Sequence, residues 1–203
     1  MAYDRVMAFT QRSEPARAAI LAAARRRFAS DGYERTTIRS VASDAGVDPS
    51  MVMRYYQNKE GLFSAAVDID LHLPDVTGVP REEIAGLLAR HFVKRWEGEL
   101  ADEAITVLLR SAITNPAAAE RMRTVFGQQV LGLVRMVTGD APDSAMRAGL
   151  ISTQVLGIAL TRYILQLPPV VALDPETLIE LFTPVLDGFL TGPLAAATVA
   201  RSS

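Results

Sequence analysis

Proline and glycine punctuate this chain at intervals that leave long stretches of helical apolar periodicity between them, and nowhere do β-branched residues alternate between hairpin turns. That spacing restricts the chain to an all-α fold. It predicts nine helices, at about 14–30, 37–45, 49–56, 59–72, 81–98, 102–114, 116–138, 142–166 and 175–191. Several carry proline near the first turn, where its missing N–H is harmless: Ser13-Glu14-Pro15, Asn115-Pro116, Ala141-Pro142 and Asp174-Pro175. Pro74 to Pro80, with Gly78 between them, reads as a linker, and the small-residue tail Ala195 to Ser203 is expected to fray.

With 203 residues, 49% of them hydrophobic, the chain can bury a substantial core. It contains no cysteine, which excludes disulfides, thiol nucleophiles and thiolate metal sites and accords with a reducing compartment. Met1 to Ser13 has no apolar run of the signal-peptide kind. The longest apolar stretch, Val155 to Leu173, is broken by Arg162, Gln166 and the Pro168-Pro169 pair, so no spanning helix is expected. These features point to a cytoplasmic protein. The net charge of -2 conceals an asymmetry: through Ala65 ten Lys/Arg face seven Asp/Glu, and from Ala66 onward eleven face sixteen. A small basic excess at the front is compatible with nucleic acid and equally with a solvated face.

The informative stretch is Gly32 to Leu62, GYERTTIRSVASDAGVDPSMVMRYYQNKEGL. Gly32 suits the end of the first helix, and Tyr33 follows as an apolar anchor. Thr36 or Thr37 caps a short helix whose Ile38, Val41, Ala42 and Ala45 make one buried face. Gly46 then turns the chain, and a second short helix turns Val52 and Tyr56 inward and Pro49, Ser50, Met51, Arg54 and Tyr55 outward. This is the arrangement of a helix-turn-helix, whose second helix enters the major groove. Spacing alone also fits two short helices within an unrelated bundle.

The residues themselves, GY-x-x-TT-x-x-x-x-A-x-x-AGV followed by V and then YY-x-x-KE-x-L, closely resemble the DNA-binding region of TetR/AcrR transcriptional regulators. The resemblance implies a three-helix head at 14–62, a ligand-binding and dimerising body at 63–193, a helix at 59–72 linking the two, and a homodimer made by the last two long helices. It places Thr37 and Arg39 at the start of the second helix against DNA. Pro49, Ser50, Met51 and Arg54 fall on the groove-facing side of the recognition helix. Tyr55 and Lys59 match phosphate contacts. Met53 stands where the family often has a tyrosine, and Met51 offers an apolar contact for a thymine methyl. Of the basic run Arg25-Arg26-Arg27, at least two residues are expected on solvated faces, since neighbours on a helix diverge by about 100°; Arg12 and Arg17 are alternative phosphate contacts.

In the body, helix 142–166 mixes small residues with leucine and isoleucine, and helix 175–191 has a broad apolar face. Both predict burial against a second copy, with Leu156, Phe182 and Phe189 at the dimer interface. His91, Phe92, Trp96, Arg110, Met122, Phe126, Gln129 and Tyr163 combine aromatic surface with a few polar groups, and are candidate contacts for a small, largely apolar effector. No cofactor or metal is implied. His72 and His91 lack metal-ligand spacing, Glu82-Glu83 and Asp102-Glu103 sit at helix starts where the macrodipole explains them, and no phosphate loop or nucleophile elbow is present, so an enzyme is not expected. The expected function is a ligand-responsive regulator binding palindromic operator DNA as a dimer, with repression relieved by the ligand; a helical protein–protein adaptor, or an activator of the same family, is the alternative.

Overall fold

The computed structural model describes residues 2–98 and 103–194, with side chains described from Glu14 onward. Among the described residues the regular structure is helical, without strands: α1 (Ala2–Arg35), α2 (Ile38–Ala45), α3 (Pro49–Tyr56), α4 (Lys59–Ala66), α5 (Arg81–Glu97), α6 (Glu103–Ser111), α7 (Pro116–Val125), α8 (Leu131–Thr138), α9 (Ser144–Ile158), α10 (Pro168–Val171) and α11 (Pro175–Leu190). A π-helical turn, Phe126–Val130, joins α7 to α8, and a second, Ala159–Ile164, continues α9. The runs expected as single helices at 116–138 and 142–166 are thus helical but interrupted. The one helix not anticipated is α10, where Pro168 and Pro169 occupy the first turn instead of merely ending the preceding helix.

Helix α1 begins at Ala2, well ahead of the expected start near residue 14, so Pro15 lies inside it and not in its first turn; two further boundaries differ for local reasons. Helix α1 carries a kink at Gly32 (φ 77°) and its helical turns run on to Arg35. Helix α4 stops at Ala66, with the Val67 N–H closing on the Phe63 carbonyl, so the linking helix expected to reach residue 72 gives way to non-helical chain at Asp68-Ile69-Asp70. There Ile69 is buried while Asp68 and Asp70 are exposed.

The contacts divide the chain into two compact units, Met1–Asp70 with Asp102–Arg123, and Leu71–Ala101 with Thr124–Ser203. The first is built on α1, which packs against α2, α4 and α6. Ile20, Ala24, Phe28, Val41, Val52, Leu62 and Phe63 are all within 1% of complete burial there. Phe63 meets the rings of Phe28 and Tyr33 edge-on, each at 5.0 Å, and full burial of each such ring contributes about 1.5–3 kcal/mol. The α6 residues Ala104, Val107 and Leu108 are completely buried, and Arg110 at its end donates to the Ala29 carbonyl of α1. In the second unit α11 packs on α5 and α9, and α8 on α9. Leu178, Phe182, Leu186 and Leu190 recur every four residues along α11 and are all buried. No helix among the described residues is long and apolar enough to cross a membrane.

Candidate functional site

The head is specified by caps. Thr37 is the N-cap of α2: its side chain accepts from the Ser40 N–H at 3.0 Å, and the Ser40 hydroxyl accepts from the Thr37 N–H at 3.1 Å, a reciprocal capping box. Thr36, the other candidate, is buried and donates its hydroxyl to the Gly32 carbonyl instead. At the far end of α2 Gly46 takes φ 65°, ψ 33°, the left-handed conformation that closes the helix, and the Val47 N–H returns to the Ala42 carbonyl. Asp48 then caps α3 by accepting from the Ser50 N–H at 2.8 Å, and the hydrogen bonds from Ser50 hold its carboxyl below the ordinary aspartate range. Asn58 caps α4 through the Gly61 N–H at 2.7 Å. Gly61 has no room for a side chain, because a Cβ there would overlap the Tyr56 carbonyl oxygen. Three short helices are therefore set by four polar residues and two glycines within 25 positions, Thr37 to Gly61.

With Val41, Ala42 and Val52 completely buried, the opposite faces of α2 and α3 meet solvent. Thr37, Arg39, Ser50 and Arg54 are exposed, and Pro49, Met51, Tyr55 and Lys59 are partly so. Met53 is 46% exposed, so α3 shows an apolar thioether to solvent. Lys59 is not idle in the free protein: its ammonium donates to the Glu34 carbonyl at 3.0 Å and lies 4.4 Å from the centre of the Tyr33 ring. Two N–H groups of that ammonium remain available to an anion.

The basic run of α1 is used inside the protein more than expected. Arg25 donates to the Ala66 carbonyl, tying α1 to the end of α4. Arg27 forks onto Asp44 of α2 at 2.6 and 2.9 Å and also reaches Asp31, and this pairing holds the Asp44 carboxyl below its usual range. Only Arg26 of the three is exposed. Arg12 lies outside the residues whose side chains are described. Arg17 is exposed and stacks on Tyr55, a contact between α1 and α3 that periodicity could not disclose.

The candidate effector residues fall in both units. Arg110 and Met122 belong to the first unit and the other six to the second. Within the second, Trp96 and Tyr163 stack face to face, 4.6 Å apart and 3° from parallel, with Phe92 tilted against both. Glu97, not singled out from the sequence, organises this group: its carboxylate accepts from Arg162 Nε and from the Tyr163 hydroxyl, each at 2.7 Å. Burial acting alone would raise Glu97, but those two donors outweigh it and hold the carboxyl low, while burial and the bond to Glu97 push the Tyr163 phenol upward. Arg162, in the π-helical turn and 8% exposed, also donates to the Val170 carbonyl of α10. His91 and Gln129 do something different. The Gln129 side-chain oxygen accepts from the Leu71 N–H at 2.8 Å, and His91 Nε2 lies 2.9 Å from the Leu71 carbonyl oxygen, so the two grip one residue of the connector from both sides. Phe126 is partly exposed at the start of the first π-helical turn.

Of the expected dimer residues, Leu156 and Phe189 are partly exposed, but Phe182 is corrected: it is 3% exposed within a single protomer and its ring meets Phe92 at 5.6 Å. Its apolar area is consumed by its own core. The apolar surface that α11 leaves open is Leu181, 57% exposed, and Val185, 40% exposed.

These features agree with the comparisons to known proteins. Residues 20–66 match the family described as bacterial regulatory proteins, tetR family, and residues 82–190 match the tetracyclin repressor-like C-terminal domain. No curated protein matches the chain in sequence. A TetR-family regulator from Streptomyces coelicolor A3 is 26% identical, with a TM-score of 0.59 over 88% of this chain and 96% of that one. A transcriptional regulator from Rhodococcus sp. Rha1 is 22% identical, with a TM-score of 0.66 over 88% and 99%. The fatty acid degradation regulator FadR from Bacillus halodurans is 17% identical, with a TM-score of 0.66 over 87% and 98%. An all-helical chain with a capped helix-turn-helix at its front and a matching C-terminal domain behind it, this protein belongs to the TetR family of transcriptional regulators.

Proposed function

We propose that the protein is a cytoplasmic repressor that binds a palindromic operator as a homodimer and is released when a small, largely apolar molecule binds its second unit. The observation that carries the reading is the outer face of α2 and α3, where Arg39 and Ser50 stand exposed on helices fixed by the Thr37 and Asp48 caps. Exposed side chains on rigid, short helices are what base-edge reading in the major groove requires. Thr37, Pro49 and Met51 flank that face, and Tyr55 and Lys59 are assigned to phosphate. In this reading 14–62 is the DNA-binding domain and 63–193 the effector-binding and dimerisation domain. Dimerisation is assigned to the open apolar stripe of Leu181 and Val185, with Leu156 and Phe189 beside it.

The effector is assigned to the second unit, where Phe92, Trp96 and Tyr163 supply aromatic surface, His91 and Gln129 hold Leu71, and Phe126 starts the first π-helical turn. Because ligand and operator favour different states, each weakens the other by the same factor. Selection of bound fragments from a random duplex pool is expected to return an inverted repeat with half-sites about one helical turn, roughly 34 Å, apart. A small-molecule screen against that duplex is then expected to yield compounds that lower its affinity. Recovery of no sequence, or of a single unrepeated half-site, would count against an operator-binding dimer; an effector that tightened binding would make the protein an activator or co-repressor.

A further inference from the structure

We propose that Arg17 of α1 and Arg54 of α3, both stacked on the Tyr55 ring, form a single phosphate clamp that extends the DNA interface beyond the helix-turn-helix; this rests on the DNA-binding reading above. The guanidinium carbons of Arg17 and Arg54 lie 5.1 and 5.0 Å from the centre of the same ring. Arg54 Nη2 also donates to the Tyr55 hydroxyl at 3.1 Å. Both arginines are exposed, and among the described residues neither forms an ion pair with a carboxylate. Their neighbour Arg27 shows the contrast, since its charge is answered by Asp44 and Asp31.

Two like charges gathered on one neutral ring repel each other, and a cation–π contact at an exposed site returns only about 0.5–1 kcal/mol. An anion reaching both guanidiniums turns that repulsion into attraction, and the planar N–H fork of arginine matches phosphate oxygens in pairs. Stacking also restricts the long side chains before the anion arrives, which lowers the ordering cost of binding. Arg17 belongs to α1, outside the two helices of the motif, so its place is on the backbone of the duplex and not at a base edge. Tyr55 is then a positioning residue: its ring sets where both charges stand.

The test is anisotropy titration of the full chain across a salt series, using the duplex selected by the wild type and an unrelated duplex of equal length. Arg17→Ala is expected to weaken both duplexes alike and to reduce the slope of log affinity against log salt by about two units, one for each protomer of the dimer. Arg17→Lys, which keeps the charge, is expected to retain the slope. Tyr55→Phe, which keeps the ring and loses the hydroxyl, reads the direct phosphate contact; Tyr55→Leu is expected to lower affinity further than Tyr55→Phe with the slope unchanged, because both charges remain but are no longer held, and equal losses for the two variants would overturn the positioning role. If Arg17→Ala does not fold, Arg17→Gln against Arg17→Lys carries the same comparison. A slope within about half a unit of the wild type's for the uncharged variant, or a loss confined to the selected duplex, overturns the clamp and leaves DNA binding standing. Absence of salt-dependent binding by the wild type overturns both.

Discussion

Both units of the chain pack apolar cores, but they differ in how densely polar caps and close approaches set the backbone. In the first, polar caps and close approaches decide the geometry: Thr37, Asp48 and Asn58 each end a loop by accepting a backbone N–H, and Gly61 lies where the Tyr56 carbonyl admits no side chain. In the second, order comes from apolar packing around α11, and two π-helical turns interrupt the helical register next to the aromatic and polar groups. A π-turn inserts a residue and re-aims the side chains that follow, a feature frequent at functional sites. The difference teaches that short helices joined by tight turns are set by directional hydrogen bonds, whereas a unit ordered by apolar packing of longer helices tolerates irregular backbone.

The strongest way to break this contrast is in the head's core. Phe63→Ala removes a ring that is 1% exposed and touches both Phe28 and Tyr33. It is expected to cost about 3–5 kcal/mol, read as a shift of the denaturant midpoint, with loss of duplex binding. A cost under 1 kcal/mol would show that packing matters less to the head than its caps.

Glycine replacement sharpens the contrast with opposite signs in the two units. Gly61→Ala forces Cβ onto a backbone carbonyl and is expected to destabilise by about 1–3 kcal/mol. Gly132→Ala in α8 meets nothing within 4 Å and is expected to stabilise by up to about 1 kcal/mol, as helix propensity alone predicts. Thermal melts of the two variants check this, and equal losses for both would remove the distinction drawn between the units.

The smallest expected effect is the pH dependence of the grip on Leu71. Burial holds His91 below its ordinary value of 6.5, against the opposing pull of the Leu71 carbonyl, with Arg95, His72 and Lys94 adding to the depression. A histidine less basic in the folded chain than in the unfolded one takes up its proton first on unfolding, so its contribution is complete above about 6.5 and declines as pH falls toward the folded value. Urea midpoints are expected to fall as pH drops through this window, and His91→Gln is expected to flatten that part of the profile. A wild-type profile flat between neutral pH and the carboxylate range would show that His91 carries no such linkage.

What was legible in the sequence is what short-range chemistry controls. Gly46 after Ala45 and a threonine before Ile38 each act within four residues, so the helix-turn-helix and its outward residues could be read before any tertiary contact was known, although the Asp48 cap of α3 was not singled out. Helical periodicity likewise marked most of the body's helices. The end of α4 at Ala66 was hidden because residues 59–72 keep enough apolar character for a helix, and only the burial of Ile69 and the grip of His91 and Gln129 on Leu71 show where the chain leaves it. Phe182 looked like interface because one helix face cannot reveal whether its partner is its own α5 or a second copy. Arg17 and Tyr55 lie 38 positions apart, and Glu97 and Arg162 lie 65 apart; such pairs depend on how helices pack, a long-range outcome that hydrophobic pattern constrains by face but never by partner.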